Sequence, residues 1–340
     1  MAGLSLAGER WARRTVLGVA YVGVVFALLV ANLELGVLGR EPRERMIDLV
    51  HGEAHVPFQL RVLVPWTADA LAKVLPAPSA SAASVLGEWL DRAGGGALGL
   101  AVILLLAASL TGFLLCVRSL LAHETELTEE ARHLATWLAG LGLVPFFPWS
   151  HVYDLPTLAL SAGMVLSARR DRPLAFVVLF VLAAFNRETA LLSLACLWVE
   201  PRPRGPVVRL SVGLGIVFVL IQAAIRATYR DNPGTAFELH FRENTVLALH
   251  EPFLSFAMFV AATAIGWRVR AAWPHLHGSL RGQVATVLPL ALAHAVVGVW
   301  GELRVFLEAY PSVFVAIAAS SFPRRTSSPA GNGLCPGTTS

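Results

Sequence analysis

Apolar runs separated by short breaks of Arg, Pro, Gly and acid recur along almost the whole 340-residue chain. Ten such runs cover residues 15–38, 97–121, 134–149, 155–168, 173–185, 189–199, 208–226, 252–267, 283–300 and 305–320. Several approach the roughly 20 apolar residues with which a helix crosses a bilayer. The pattern predicts an all-α fold: a polytopic membrane bundle of about ten transmembrane helices over 15–320, some of them short or broken. The first run follows the basic segment "MAGLSLAGERWARR" and is too long for a signal-peptide core, so it predicts a retained helix behind an N-terminal tail, 1–14. In the long loop 39–96, the stretch 57–75 places apolar residues at helical spacing with Arg61, Asp69 and Lys73 between them, the pattern of a helix lying in the membrane interface. "PAPSASAAS" (76–84) reads as a flexible connection. The Pro-, Gly-, Ser- and Thr-rich stretch 321–340 reads as a disordered tail.

The runs 173–185 and 189–199 are each too short to span a bilayer alone, and the polar triplet Asn186-Arg187-Glu188 stands between them. They read either as a hairpin of two short helices or as one helix with the triplet inside. A hairpin keeps "RRDR" (169–172) and "PRPR" (201–204) on one side and is preferred on that ground. Short helices at membrane depth require a protein-lined or watery cavity.

Composition sharpens the membrane reading. Hydrophobic residues make up 56% and charged residues 15% of the chain, where a soluble domain carries roughly 25% charged residues; mean hydropathy is +0.63. The net charge of +4 reports topology and points to no nucleic-acid partner, because basic residues collect on the cytoplasmic side of membrane helices. With both termini cytoplasmic, sixteen Arg fall inside against Arg187, Arg226, Arg230, Arg242 and Arg304 outside, beyond the long first loop. The cysteines Cys116, Cys196 and Cys335 have no metal or disulfide spacing.

This topology gathers the polar clusters on the outer face: "HGEAH" (51–55), Arg61, "HVYD" (151–154), "NRE" (186–188) and "GELR" (301–304). A charge at the bilayer centre costs about 2.5–3.5 kcal/mol on insertion scales, so the convergence predicts an outward-facing cavity. Arg187 and Glu188 are adjacent, project about 100° apart on a helix and need partners elsewhere, with Asp154, Glu302 and Arg304 as candidates. Each cluster also has a plainer explanation. Asp154 before Leu-Pro is a helix cap, "NRE" a polar loop tip, "GELR" a solvated turn, and the spacing of His51 and His55 only a weak metal signal, so no metal is assigned.

The segments "FQLRVLVPW", "YDLPTLAL", "NRETALL" and "GELRVFLEAYP" carry a resemblance. Over most of residues 15–320 the chain resembles bacterial members of the C superfamily of membrane glycosyltransferases. That resemblance implies an enzyme of the bacterial cytoplasmic membrane, working at the periplasmic face on a sugar carried by polyprenyl phosphate. It implies an acidic catalytic base in the first outer loop, a role that falls to Glu53, with Asp48 as substitute; the family's more usual residue there is Asp. His51 and His55 flank that base and would hold the acceptor. Arg61, Arg187 and Arg304 would hold the leaving phosphate, and Asp154, Asn186, Glu188 and Glu302 would orient them or bind sugar hydroxyls. The expected partners are a lipid-linked sugar donor and a lipid or glycan acceptor. No cofactor is indicated, and the sequence leaves a divalent ion open. A transporter or flippase, or a non-catalytic assembly subunit, is the alternative.

Overall fold

The computed structural model describes residues 2–36, 45–56, 58–78, 84–199, 203–234, 239–297 and 303–322, and within them all side chains but those of 2–10, 243, 248, 254 and 297. The fold is all-α, 82% helical, with no strand among the described residues. In chain order the α-helices are α1 (Ala2–Leu35), α2 (Met46–His51), α3 (Leu63–Ala72), α4 (Val85–Arg92), α5 (Gly96–Glu124), α6 (Glu129–Leu141), α7 (Asp154–Arg169), α8 (Pro173–Asn186), α9 (Ala195–Trp198), α10 (Arg204–Thr228), α11 (Phe241–His250), α12 (Pro252–Ala272), α13 (Gly278–Ala285), α14 (Val287–Val297) and α15 (Tyr310–Ser321). Short 3-10 turns over 58–60, 144–149, 188–194, 273–275 and 303–306 connect some of them.

Three helices among the described residues are long and apolar enough to cross a membrane: Trp11–Leu35 within α1, α5 and α10. This is fewer than the ten expected. Hydropathy merges neighbouring elements that the backbone keeps apart. Run 134–149 divides between α6 and a 3-10 turn holding Pro148, and run 283–300 divides at Thr286 between α13 and α14. Runs 155–168 and 173–185 form helices of 16 and 14 residues. The stretch 57–75, expected to hold an interfacial helix, contains the helix α3, its buried face of Val64, Pro65 and Ala68 packed toward α5 and α8.

The core forms where α5 meets α7. On α5 the buried positions Val102, Leu106, Leu110, Phe113, Val117 and Leu120 recur at intervals of three and four, a single apolar stripe. Helix α7 is buried almost all round. Small residues let its neighbours close in: a Cβ on Gly163 would stand 3.0 Å from the Leu179 side chain of α8. Other helices turn apolar residues outward. Val16, Val19, Val22 and Phe26 of α1 and Phe253, Phe256 and Phe259 of α12 are all exposed. Such outward apolar stripes fit a membrane protein.

The chain breaks at Arg187, where the backbone is extended (φ −162°, ψ 144°). One continuous helix through 173–199 is thereby excluded. Beyond the break the chain folds back beside α7 and α8, since Ala190 and Ser193 border the same small cavity as Ala183 and Ser161.

Candidate functional site

The site is built at the N-terminal end of α7. Asp154 opens that helix with its side chain wholly buried, and its Oδ2 accepts a hydrogen bond from the His151 backbone N–H at 2.8 Å. This N–H precedes the helix and Tyr153 is the N-cap, with no side-chain cap bond, so the expected helix cap by Asp154 is not formed. The same carboxylate faces two guanidinium groups. Arg187 Nη1 lies 3.4 Å from Oδ1 and Arg304 Nη1 3.5 Å from Oδ2. Arg187 comes from the break after α8, Arg304 from the turn before α15. Arg187 also turns its Nε toward Glu308 Oε1 at 3.7 Å, and that oxygen accepts a hydrogen bond from the Thr189 hydroxyl. Arg187 and Glu188 thus find their partners on other elements, as their adjacency requires.

Tyr153 organises the remaining cations. Arg61 lies over its ring at 4.3 Å, and the His151 imidazole stacks on it at 5.3 Å with the planes 4° apart. The phenol oxygen accepts from Arg304 Nη1 at 3.1 Å. Arg61 faces Glu188 at 3.5 Å, yet its buried Nε and Nη1 have no hydrogen-bond acceptor. Asn186 is fully buried and donates to the Tyr153 carbonyl at 2.9 Å and to Thr157 Oγ1 at 2.8 Å, tying the end of α8 to the start of α7. Burial, together with the positive charge of Arg304, Arg61 and Arg187, pushes the His151 imidazole well below its usual pKa, so it is neutral at pH 7.

The acidic loop stands apart from this network. Gln59 is wholly buried and folds the loop: its Oε1 accepts from the Ala54 N–H at 3.1 Å and its Nε2 donates to the Leu49 carbonyl at 3.1 Å. A second strap closes it from the α10–α11 connection. The Val56 N–H donates to the Pro233 carbonyl at 2.9 Å, and Asn232 Nδ2 donates to the carbonyls of Gly52 and Ala54. Gly234 sits at φ +104°, and a Cβ there would meet the His55 ring at 2.2 Å, so only glycine fits under the strap. Glu53 is exposed at the tip of this loop and its carboxylate engages no other described residue. His51 is exposed beside it. Asp48 instead pairs with Arg45 at 2.9 Å. Phe58 and Arg61 join the loop to the network, Phe58 through its ring contact with His151 at 5.4 Å.

Of the residues singled out from sequence, Arg61, Asp154, Asn186, Arg187, Glu188 and Arg304 are brought together. Asp48, His51, Glu53 and His55 form the strapped loop, and Glu302 lies outside the described residues. Sequence reasoning missed Tyr153 and Glu308. The signal for Glu308 was a carboxylate inside an apolar run, four residues after Arg304. Chemically, the arrangement is a balanced cluster of Asp154, Glu188 and Glu308 against Arg61, Arg187 and Arg304, buried at Asp154, Arg187 and Glu308 and partly exposed at Glu188. Its pairs stand at 3.4–3.7 Å, longer than the 2.7–2.9 Å of a tight charge-assisted hydrogen bond. No family model, no curated protein and no solved structure matches this chain.

Proposed function

We propose that the chain is a membrane glycosyltransferase that moves a sugar from a polyprenyl-phosphate donor to a lipid or glycan acceptor. The observation that carries the proposal is Arg61: a guanidinium held against Tyr153, its buried Nη1 without a hydrogen-bond acceptor among the described residues, its Nε meeting Glu188 only at 3.5 Å, and two further arginines beside it. A planar fork of N–H donors in a dry setting suits a phosphate, which accepts two such bonds at once. The long ion pairs favour the same reading, since cations already satisfied by tight carboxylate contacts would have nothing to offer an incoming anion.

The residues then take these roles. Arg61 and Arg304 bind the donor phosphate, and Arg187 is fixed behind them by Asp154 and Glu308. The acceptor hydroxyl oxygen attacks the anomeric carbon, the bond from that carbon to the phosphate oxygen breaks, and the polyprenyl phosphate leaves with the electron pair. Glu53, exposed and without a competing cation, takes the acceptor's proton. Asp48, already paired with Arg45, is the weaker base. The ten-span topology, with both termini cytoplasmic and the Asp154 end of α7 at the outer face, belongs to the same proposal; single cysteines at positions 170 and 203 should label from one side.

The test is transfer of radiolabelled sugar from polyprenyl-phosphate donors by purified protein in lipid, with a bacterial lipid extract as acceptor. Glu53→Gln should lower turnover by about 100-fold or more while leaving donor binding intact, and Arg61→Gln should weaken binding of polyprenyl phosphate. Full turnover in Glu53→Gln with loss in Asp48→Asn would move the base to Asp48. No transfer together with no binding of polyprenyl phosphate would sink the proposal in favour of a transporter or an assembly subunit.

A further inference from the structure

Beside Arg187 a small cavity lies between α7, α8 and the 188–194 turn, bordered by Arg187, Asn186, Ser193 and Glu308 among others. It leaves about 10 Å³ open to the centre of a water-sized sphere, room for about one water molecule. Three of these residues each bring a buried oxygen that has no hydrogen-bond partner: Asn186 Oδ1, Ser193 Oγ and Glu308 Oε2. The amide orientation of Asn186 is fixed, because Nδ2 donates to the Tyr153 carbonyl and to Thr157 Oγ1. Its Oδ1 is therefore a pure acceptor. Glu308 uses Oε1 for Thr189 and Arg187, which leaves Oε2 as a second pure acceptor. Two acceptors cannot satisfy each other, and a buried acceptor without a donor is destabilising. Ser193 alone carries a proton to give.

We propose that Asn186, Ser193 and Glu308 enclose a single bound water molecule. It donates one hydrogen to Asn186 Oδ1 and the other to Glu308 Oε2, and accepts the Ser193 hydroxyl, three bonds in all and the usual number for a buried water. Three oxygens would also suit a small monovalent cation, but the rest of the lining, Arg187 with Met164, Ala183 and Ala190, does not. Asp154 and Glu308 are already matched by Arg187 and Arg304, and a further positive charge beside the Arg187 guanidinium would be uncompensated. The water fixes the second oxygen of Glu308, and through it the position of Arg187.

Three measurements on the full chain test this. A cryo-electron density map of the protein in lipid nanodiscs, sharp enough to show ordered water, should contain a peak about 2.7–3.2 Å from all three oxygens; a featureless cavity would overturn the proposal. The melting temperature should be the same in sodium chloride and in choline chloride at equal ionic strength. A saturable stabilisation by sodium that disappears in Glu308→Gln would assign a cation instead. Finally, Ser193→Ala keeps the room and removes one bond, so it should lower the melting temperature slightly. Ser193→Val fills the room, expels the water and strands two acceptors, so it should lower it more. Val as stable as Ala would mean a dry void and refute the site.

Discussion

Helix α7 carries an ion-pair network at each end, and the two are built on opposite terms. At its N-terminus Asp154 meets Arg187 and Arg304, with side chains 0%, 6% and 11% exposed and contacts of 3.4–3.5 Å. About 22 Å away along the helix axis, Arg169 donates to Glu124 at 2.7 Å. Around that end of the bundle Arg118, Arg132 and His133 converge on Glu129, whose side chain is 42% exposed. The Arg169–Glu124 pair is tight, with the Glu124 side chain only 3% exposed, the cluster on Glu129 is wet, and the Asp154 network is loose and dry. In water, tight contact between long side chains yields little, because solvent screens the charges and ordering the side chains offsets the gain. In a dry interior even a long contact is strong, and the loss of one partner leaves a bare buried charge. The difference separates charges screened at a surface from charges confined in a dry interior.

The largest expected effect follows directly. Asp154→Asn keeps an acceptor for the His151 N–H but leaves Arg187 and Arg304 without their shared counter-ion, and it should destabilise the folded protein by about 3–5 kcal/mol. Denaturant unfolding in detergent micelles reads this. A loss no larger than that of a surface pair would mean that water reaches the network, and the contrast between the two ends would collapse.

How far this contrast could be read in advance depends on what kind of signal each residue left. Helix α7 and the break at Arg187 were legible, because three polar residues inside an apolar run, and an acid before Leu-Pro, violate the local pattern. The number of membrane-length helices was not. A hydropathy window cannot see that α6 ends at Leu141 before Gly142, or that Thr286 divides another run, since neither changes the mean apolarity. Glu308 was hidden for the converse reason: it lies within a run apolar enough to be read as one span, and only the folded chain sets it against Arg187. Tyr153 is silent in sequence, an aromatic beside an acid. Its contacts exist only where Arg61 and Arg304 arrive from two other segments and His151, two residues before it, stacks on its ring. The loop holding Glu53 was legible as a polar cluster, but its strap to Asn232–Gly234 spans 178 residues between Ala54 and Asn232, and no local pattern announces a pairing at that range.

A smaller effect sharpens the picture of the buried end. Tyr153→Phe retains the ring on which Arg61 and His151 stack and removes only the acceptor for Arg304 at 3.1 Å. The expected loss is about 1.5 kcal/mol, the lower end for a hydrogen bond to a charged group, because Asp154 still faces the guanidinium. If Tyr153→Phe matched Asp154→Asn, the phenol and not the carboxylate would be the principal partner of Arg304.

The pH dependence gives a third handle. His151 is held neutral by burial among Arg304, Arg61 and Arg187 and against the rings of Tyr153 and Phe58. Its folded pKa lies below the unfolded value of about 6.5, so the stability it confers is fully present above that pH. As the pH falls below about 6.5 the unfolded chain binds a proton that the folded chain refuses, and stability declines by up to about 1.4 kcal/mol per pH unit until the folded pKa is reached. Melting curves between pH 8 and pH 5 should therefore slope downward toward acid in the wild type and less so in His151→Phe, which keeps the stack. Equal slopes would place the titration elsewhere.

The smallest expected effect belongs to the other end of α7. Glu129 faces Arg118, Arg132 and His133 and sits in the first turn of α6, where a carboxylate also meets the positive end of the helix dipole. Exposed to this degree, the whole set should be worth under about 1 kcal/mol, so Glu129→Gln should lower stability only marginally. Salt decides whether the smallness has the stated cause. The screening length shrinks from about 10 Å at 0.1 M to about 3 Å at 1 M, so high salt should erase what little Glu129→Gln costs. The same salt should leave the loss in Asp154→Asn nearly untouched, because screening ions do not enter a dry interior. If salt levelled both variants, the buried network would be as accessible to ions as the surface one, and Arg61 could no longer be regarded as held dry for a phosphate.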